Sequence, residues 1–413
     1  MNATTIEKPW LNRNVLGMSI TSFLSDASHE MATTVLPGFL TIINAPPSAL
    51  GLIEGIADAT SSFVKLWGGW ISDRVGDRKR LTALGYLLTG AAMVFFAIAA
   101  HWIVVLVGRM IGWFGRGFRG PIRDAMLADS VEHEVRGKAF GFHRFGDTLG
   151  AIVGPLLGVA LLEVWQPLSL LDPVQPFRNV FLITLVPGIL SAVAFWLMVS
   201  EKRRTGNRQL HFWGTIRSLP PRFKQFLVGA GIFGAGDFAP TVFILAAIQL
   251  LTPTHGLARA SQLAGLMYVV RNTTYALASL PIGALSDRMS RIVLLALGYC
   301  LAACTVMGFV LAFVLSSDSI VLLCVLFALA GVFMAFEDTL EGAITADFIA
   351  SETRGIGMGV LGTVNGVGDF LASALVGVLW NAVSPVAGFG VAAAAMLCGA
   401  VIMWRVGRVD TSA

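Results

Sequence analysis

The chain has 413 residues, of which 55% are hydrophobic and only 13% charged, and its mean hydropathy is +0.75. A soluble domain carries about 25% charged residues, and a chain this apolar cannot cover itself with polar surface in water. That excludes a string of soluble domains and points to a polytopic membrane protein, whose formal charge of +4 comes from basic loops and not from a nucleic-acid-binding face.

Twelve spans of about 20–25 residues fit in the chain with short loops between them. Hydropathy places them at 14–40, 49–71, 81–100, 102–125, 138–162, 178–199, 222–249, 260–284, 292–315, 319–345, 355–379 and 385–405. The 45 glycines and 16 prolines would interrupt soluble helices, but both are common in membrane helices, where neighbours re-satisfy the backbone. The stretch from Val15 to Leu40 is too long for a cleaved leader and carries Asp26, His29 and Glu30, so it is expected to be a retained first span. The longest polar stretch, from Glu201 to Lys224, divides the chain into an N-terminal bundle over 1–200, a cytoplasmic linker over 201–221 and a C-terminal bundle over 222–413. The expected fold is therefore all-α, with twelve transmembrane helices in two pseudo-symmetric six-helix bundles. Cys300, Cys304, Cys324 and Cys398 all lie in apolar runs without a CxxC spacing and read as packing residues.

Counting basic residues sets the orientation. With the N-terminus inside, 20 of the 29 Lys and Arg residues fall in inside segments, and only Arg178 and Arg259 fall outside. Both termini are expected to be cytoplasmic, in a bacterial-type inner membrane. The halves also repeat. Gly51-Leu52 through Ser72-Asp73-Arg74 to Leu84-Gly85-Tyr86 aligns with Gly265-Leu266 through Ser286-Asp287-Arg288 to Leu297-Gly298-Tyr299, and Ala128-Asp129 aligns with Ala346-Asp347. Parallel six-helix repeats make a transporter architecture, with its site between the halves near the midplane.

After span 2 the chain reads Gly69-Trp-Ile-Ser-Asp73-Arg74-Val-Gly76-Asp-Arg78-Lys79. This resembles the G-x-x-x-D-R-x-G-x-R-K signature of the major facilitator superfamily, and a degenerate second copy ends in Asp287-Arg288 where that family has one. The resemblance spans the chain and implies that Gly69, Asp73, Arg74, Gly76, Arg78, Asp287 and Arg288 serve a cytoplasmic gate. Span 5 carries Gly150, Gly154, Pro155 and Gly158, which look like the family's antiporter motif except that Val159 replaces its last glycine. Small residues every fourth position also serve close helix packing. Arg109 stands where the family's drug exporters place an arginine linked to proton coupling, although the residues after it depart from their pattern.

An ionisable group inside a span is costly and is functional by default. In the family resembled, spans 1, 4, 7 and 10 line the cavity. Asp26 in span 1 and Asp237 in span 7 hold corresponding positions near the midplane, and Asp26 and Glu30 lie one turn apart on one face, a candidate proton site. At the repeat offset, Arg119 corresponds to Glu337 and Arg123 to Glu341. The expectation is a charge pair between the halves that forms and breaks during alternating access, against arginines that snorkel to the inner headgroups. His143 and Asp147 are one turn apart and suit either a proton relay or a structural hydrogen bond. Glu54, Asp58 and Lys65 on span 2 are expected to form helix-packing pairs beside the cavity.

Four functions compete on these residues. The leading one is proton-coupled export of a small molecule, an antiport by alternating access, acting as a monomer with protons as the coupling ion and no other cofactor. A second is import or symport of an organic anion held by Arg116, Arg119 and Arg123. A third is export of a divalent metal through Asp26, His29 and Glu30, a string loosely similar to a nickel-resistance branch of the superfamily. The fourth is a membrane sensor that transports nothing, which the complete gating signature and the symmetric carboxylates disfavour. No nucleotide loop or nucleophile motif suggests an enzyme.

Overall fold

The computed structural model describes residues 11–75, 77–131, 136–170, 172–201, 219–286, 288–349 and 354–410, and among these the chain is helical without strands. Residues 202–218 of the central linker lie outside the described residues. In the N-terminal half the helices are α1 (Arg13–Ile42), α2 (Pro47–Val75), α3 (Arg78–Ala91), α4 (Met93–Ile98), α5 (Trp102–Asp129), α6 (Arg136–Trp165) and α7 (Gln175–Met198). The C-terminal half holds α8 (Pro221–Gly234), α9 (Pro240–His255), α10 (Leu257–Ser286), α11 (Arg291–Val314), α12 (Ile320–Phe348), α13 (Arg354–Ala382) and α14 (Pro385–Asp410). With α3 and α4 as span 3, and α8 and α9 as span 7, these are the twelve expected spans in two bundles.

Span 7 corrects the sequence reading, which made it one helix over 222–249. It is interrupted at residues 235–239. Pro240 has no N–H to donate and disfavours a helical residue before it, and Gly234 and Gly236 weaken the helix just upstream. The gating signature also begins inside a helix, since α2 runs to Val75.

Among the described residues seven helical stretches are long and apolar enough to cross a membrane: those of spans 3, 5, 6, 9, 10, 11 and 12. The others fall short for physical reasons. Helices α8 and α9 are too short singly, while α1, α2, α5 and α10 carry polar and charged side chains at mid-span, which only a bundle interior tolerates.

Helix α1 packs on α6 and α7, α2 on α5, α10 on α12, and α11 on α12 and α14. Small residues permit the tightest of these contacts. A Cβ on Gly150 would stand 2.5 Å from the Phe23 carbonyl oxygen, and one on Gly154 would stand 2.6 Å from that of Ala27. The antiporter-like motif is thus the face of α6 that lies on α1. The C-terminal bundle is tied by aromatic rings, with Phe233 stacked on Tyr299 at 3.6 Å and Phe243, Phe309 and Phe389 clustered above them.

The repeat extends to ion pairs. Arg78 reaches Asp129 at 2.8 Å, and their repeat equivalents Arg291 and Asp347 meet at 2.8 Å in the other half. The Glu201 carboxylate, just past span 6, accepts the backbone N–H groups of Arg78 (3.2 Å) and Lys79 (2.9 Å) and so caps the first turn of α3.

The halves meet along α2 with α13 and α6 with α10, and along α1 with α9 and α10. The seam is tight on the side away from the termini, where Gly51 lies against the Ser373 carbonyl and Gly377, and Gly38 against Ser261. On the terminus-bearing side, no extensive packing joins α5 or α6 to α12 or α13 among the described residues.

Crowding at Gly154 yields a prediction. Gly154→Val forces a side chain into the α1 backbone and should destabilise the protein by about 1–3 kcal/mol. Gly342→Ala, where nothing lies within 4 Å of the new Cβ, should be neutral or slightly stabilising. Thermal unfolding of the two purified variants checks the contrast.

Candidate functional site

Between the halves lies a cavity of about 410 Å³ whose walls come from both bundles. It widens toward the terminus-bearing side. The side chain of Arg144 is 67% exposed there, Asp147 18%, Asp26 6%, and at the far end Arg109 is 3% and Glu54 2%.

Four in-span residues singled out from sequence gather here with partners. Asp26 on α1 forms an ion pair with Arg116 on α5 at 2.9 Å. Glu30, one turn further along α1, accepts a hydrogen bond from the Tyr268 hydroxyl of α10 at 2.8 Å, which joins the two halves. Asn272 makes a second such link, donating to the Ala151 carbonyl at 2.7 Å. Asp147 pairs with Arg144, and Asp237 enters the wall from the interrupted segment of span 7. Asp26 and Asp237, repeat equivalents by sequence, therefore line one cavity.

Arg109 sits at the closed end in a fully buried bidentate pair. Its Nη2 and Nε donate to Glu54 at 2.9 and 3.0 Å, and Thr33 lies at 3.3 Å. Glu54, Asp58 and Lys65 thus line the cavity, which corrects their assignment to packing beside it. Helix α2 lies on the inter-half seam against α13, so one of its faces borders the void.

The expected pairing between Arg119 and Glu337, and between Arg123 and Glu341, does not form. Arg119 donates to Thr89 and Ser25 at 2.8 Å each and lies over the Tyr86 ring, all within the N-terminal bundle. Arg123 holds Asp124 at 2.9 Å and Ser22 at 3.2 Å. Glu341 accepts hydrogen bonds from the Tyr299 hydroxyl and Asn365 in its own bundle. Glu337 is buried with one carboxylate oxygen unpartnered. Tyr86 and Tyr299 are themselves repeat equivalents, and each keeps the charge of the neighbouring span inside its own half. None of these four charged residues lines the cavity.

His143 also turns away from its expected partner. Its Nε2 lies 2.8 Å from the Ser22 hydroxyl, while Asp147 faces Arg144. His29 packs edge-on against Trp113 at 5.2 Å, and among the described residues no group of His, Cys, Asp or Glu is spaced to hold a metal ion. Of the gating signature, Arg78 is buried in its pair with Asp129 and Arg288 is exposed. Gly76 and Asp287, and the side chains of Asp73 and Arg74, lie outside the described residues, and Gly69 lies within α2. Sequence reasoning passed over Arg271, Asp338 and Asp369, which also line the cavity, although the cost of an in-span charge was a signal for each. Tyr268 and Trp113 had no such signal.

Known proteins agree with this architecture. The profile of the Major Facilitator Superfamily matches residues 18–270 and 241–413. The chain is 30% identical over 376 residues to an uncharacterised MFS-type transporter of Methanocaldococcus jannaschii, covering 91% of this chain and 90% of that protein. It is 25% identical over 154 residues to the quinolone resistance protein NorA of Staphylococcus aureus, covering 37% of this chain and 39% of that one. Among solved structures, a POT family transporter in complex with 5-aminolevulinic acid superposes with a TM-score of 0.79 at 11% identity, covering 97% of each chain. A nucleoside transporter, NupG, does so at 0.75 and 12%, covering 95% of this chain and 99% of that one.

The pair at the closed end makes a second prediction. Glu54→Gln leaves the Arg109 charge buried without its counter-ion and should cost about 3–5 kcal/mol of stability, whereas Glu54→Leu with Arg109→Met should recover most of it. Unfolding of the single and double variants measures the difference.

Proposed function

We propose that this chain, which belongs to the Major Facilitator Superfamily, exports a small molecule in exchange for protons. It is a multi-pass membrane transporter of that family, and the step from transporter to proton-coupled exporter rests on its cavity. One observation carries that step. Asp26 and Arg116 form an ion pair on the wall between the halves, where the cavity narrows from its exposed end. Protonating Asp26 removes the charge that holds Arg116, and deprotonating it restores the pair, so proton occupancy and the shape of the cavity wall are linked.

The rest of the cycle follows from what closes the cavity. With both termini on the cytoplasmic face of an inner membrane, as the basic loops favour, the open end faces the cytoplasm and would admit a substrate from inside. Passage to the other side requires the seam along α2 and α13 to part, together with the Glu30–Tyr268 and Asn272–Ala151 links, while α5 and α6 close on α12 and α13. Similarity to a quinolone resistance protein favours export. The anion reading is weaker, because Arg109 and Arg116 already face Glu54 and Asp26, and Arg119 and Arg123 stand outside the cavity. The metal reading lacks a ligand group among the described residues.

In proteoliposomes with an imposed pH gradient, the wild type should move substrate in exchange for protons, screened over a panel of anionic, cationic and metal compounds. Asp26→Asn should reduce gradient-driven flux to background while the protein stays monodisperse and folded. Undiminished flux in that variant removes Asp26 from the coupling step.

A further inference from the structure

The charges around the cavity do not balance. Its lining carries eight carboxylates against five lysine and arginine cations. Arginines hold Asp26, Glu54 and Asp147, and tyrosine hydroxyls meet Glu30 and, at 2.7 Å, Asp338. Three carboxylates have neither an arginine nor a tyrosine hydroxyl against them: Asp58 on α2, Asp369 on α13, and Asp237 in the interrupted segment of span 7, which shares a hydrogen bond with Glu337. They line one cavity from both sides of the seam. Arg271 lines the same cavity with its Nη1 donating to Asn272 at 2.9 Å, its Nε unpartnered, and no ion pair to any of the three carboxylates among the described residues. The lysine on the same lining is Lys65, two turns along α2 from Asp58 and exposed at the open end.

What this cluster would bind is constrained by three further facts. The carboxylates are not spaced to share a metal ion. The void of about 410 Å³ is on the order of a dozen water volumes, room for an organic molecule. Its wall beside Asp237 is aromatic, with Phe238, Phe243 and Phe333, which suits an apolar body and the face of a cation. An independent observation points to a ligand. Thr241, at the start of α9, is only 1% exposed and lines the cavity, yet its hydroxyl has no partner. A buried unpaired hydroxyl costs stability unless something is bound to it for part of the cycle.

We propose that the cavity takes an organic ammonium cation, its nitrogen held among Asp58, Asp237, Asp369 and the Thr241 hydroxyl, and that Lys65 is a tethered ammonium which the substrate displaces. This deepens the transport reading and rests on the cavity being the transport site. Displacement makes the role of Lys65 distinctive. A lysine that only braced the wall would leave binding unchanged or weaker when removed, whereas a resident competitor makes it tighter.

Direct binding to the purified full-length protein in nanodiscs, by titration calorimetry without a gradient, tests this with phenethylammonium, the neutral phenylpropanol and the anionic phenylpropionate. The ammonium should bind saturably and in preference to both others. Asp237→Asn and Asp369→Asn should each weaken it about tenfold or more, the loss of one charge-assisted hydrogen bond. Lys65→Met should tighten it severalfold. Preference for phenylpropionate, absence of saturable ammonium binding, unchanged affinity in both asparagine variants, or weaker binding in Lys65→Met each overturn the proposal. Intact ammonium binding without gradient-driven flux overturns the proton-coupled reading alone, and anion binding with intact flux overturns this one alone.

Discussion

An ionised side chain taken out of water must find a counter-charge or a set of hydrogen bonds, and in a bilayer only another helix can supply them. Most of this architecture answers that demand. Arg109 finds Glu54 in a fork of two hydrogen bonds, Arg116 finds Asp26, and Arg119 finds two hydroxyls and an aromatic face. Each partner lies on a different helix, so each pair fixes how two helices sit together. The helices that carry these groups are those too polar to face lipid, and they are driven to the interior of the fold. A polar cavity between two lipid-facing shells is the result.

The same demand separates the two bundles chemically. Equivalent positions of the repeat hold Arg119 and Arg123 in one half and Glu337 and Glu341 in the other, each next to a tyrosine at an equivalent place on span 3 or span 9. The repeat therefore carries opposite charges at equivalent positions of its two halves, each held inside its own bundle. The C-terminal half also supplies Asp237 and Asp369 to the cavity wall.

Span number, repeat and midplane carboxylates were legible in the sequence because each leaves a local mark: a run of apolar residues, a recurring string, or a charge where none is expected. Asp26, Glu30, Arg109, Asp147 and Asp237 were found in that way. Glu54, Asp58 and Lys65 left the same mark but were assigned to packing, because hydropathy records a charge without recording which neighbour covers it. In this conformation, open on the terminus-bearing side, Arg119 and Glu337 are apart, and the reason is geometric. Residues equivalent in a two-fold repeat touch only if they lie close to the axis, and Tyr86 holds Arg119 well inside its own bundle. The interruption of span 7 was written in Gly234, Gly236 and Pro240, yet continuous hydropathy ran across it. Tyr268 shows the remaining limit, for an aromatic residue in a membrane span looks the same whether it packs, anchors or bridges.

The twin pairs Arg78–Asp129 and Arg291–Asp347 have a mechanical meaning. Each one ties the turn between its second and third spans to the end of the fourth span of the same half, so neither crosses the seam. When the halves swing relative to one another, both clasps ride along unstrained, and no free energy is spent on breaking them. They stiffen each half into a lever, so that a small local rearrangement at the cavity wall is delivered at the membrane surface as a large displacement.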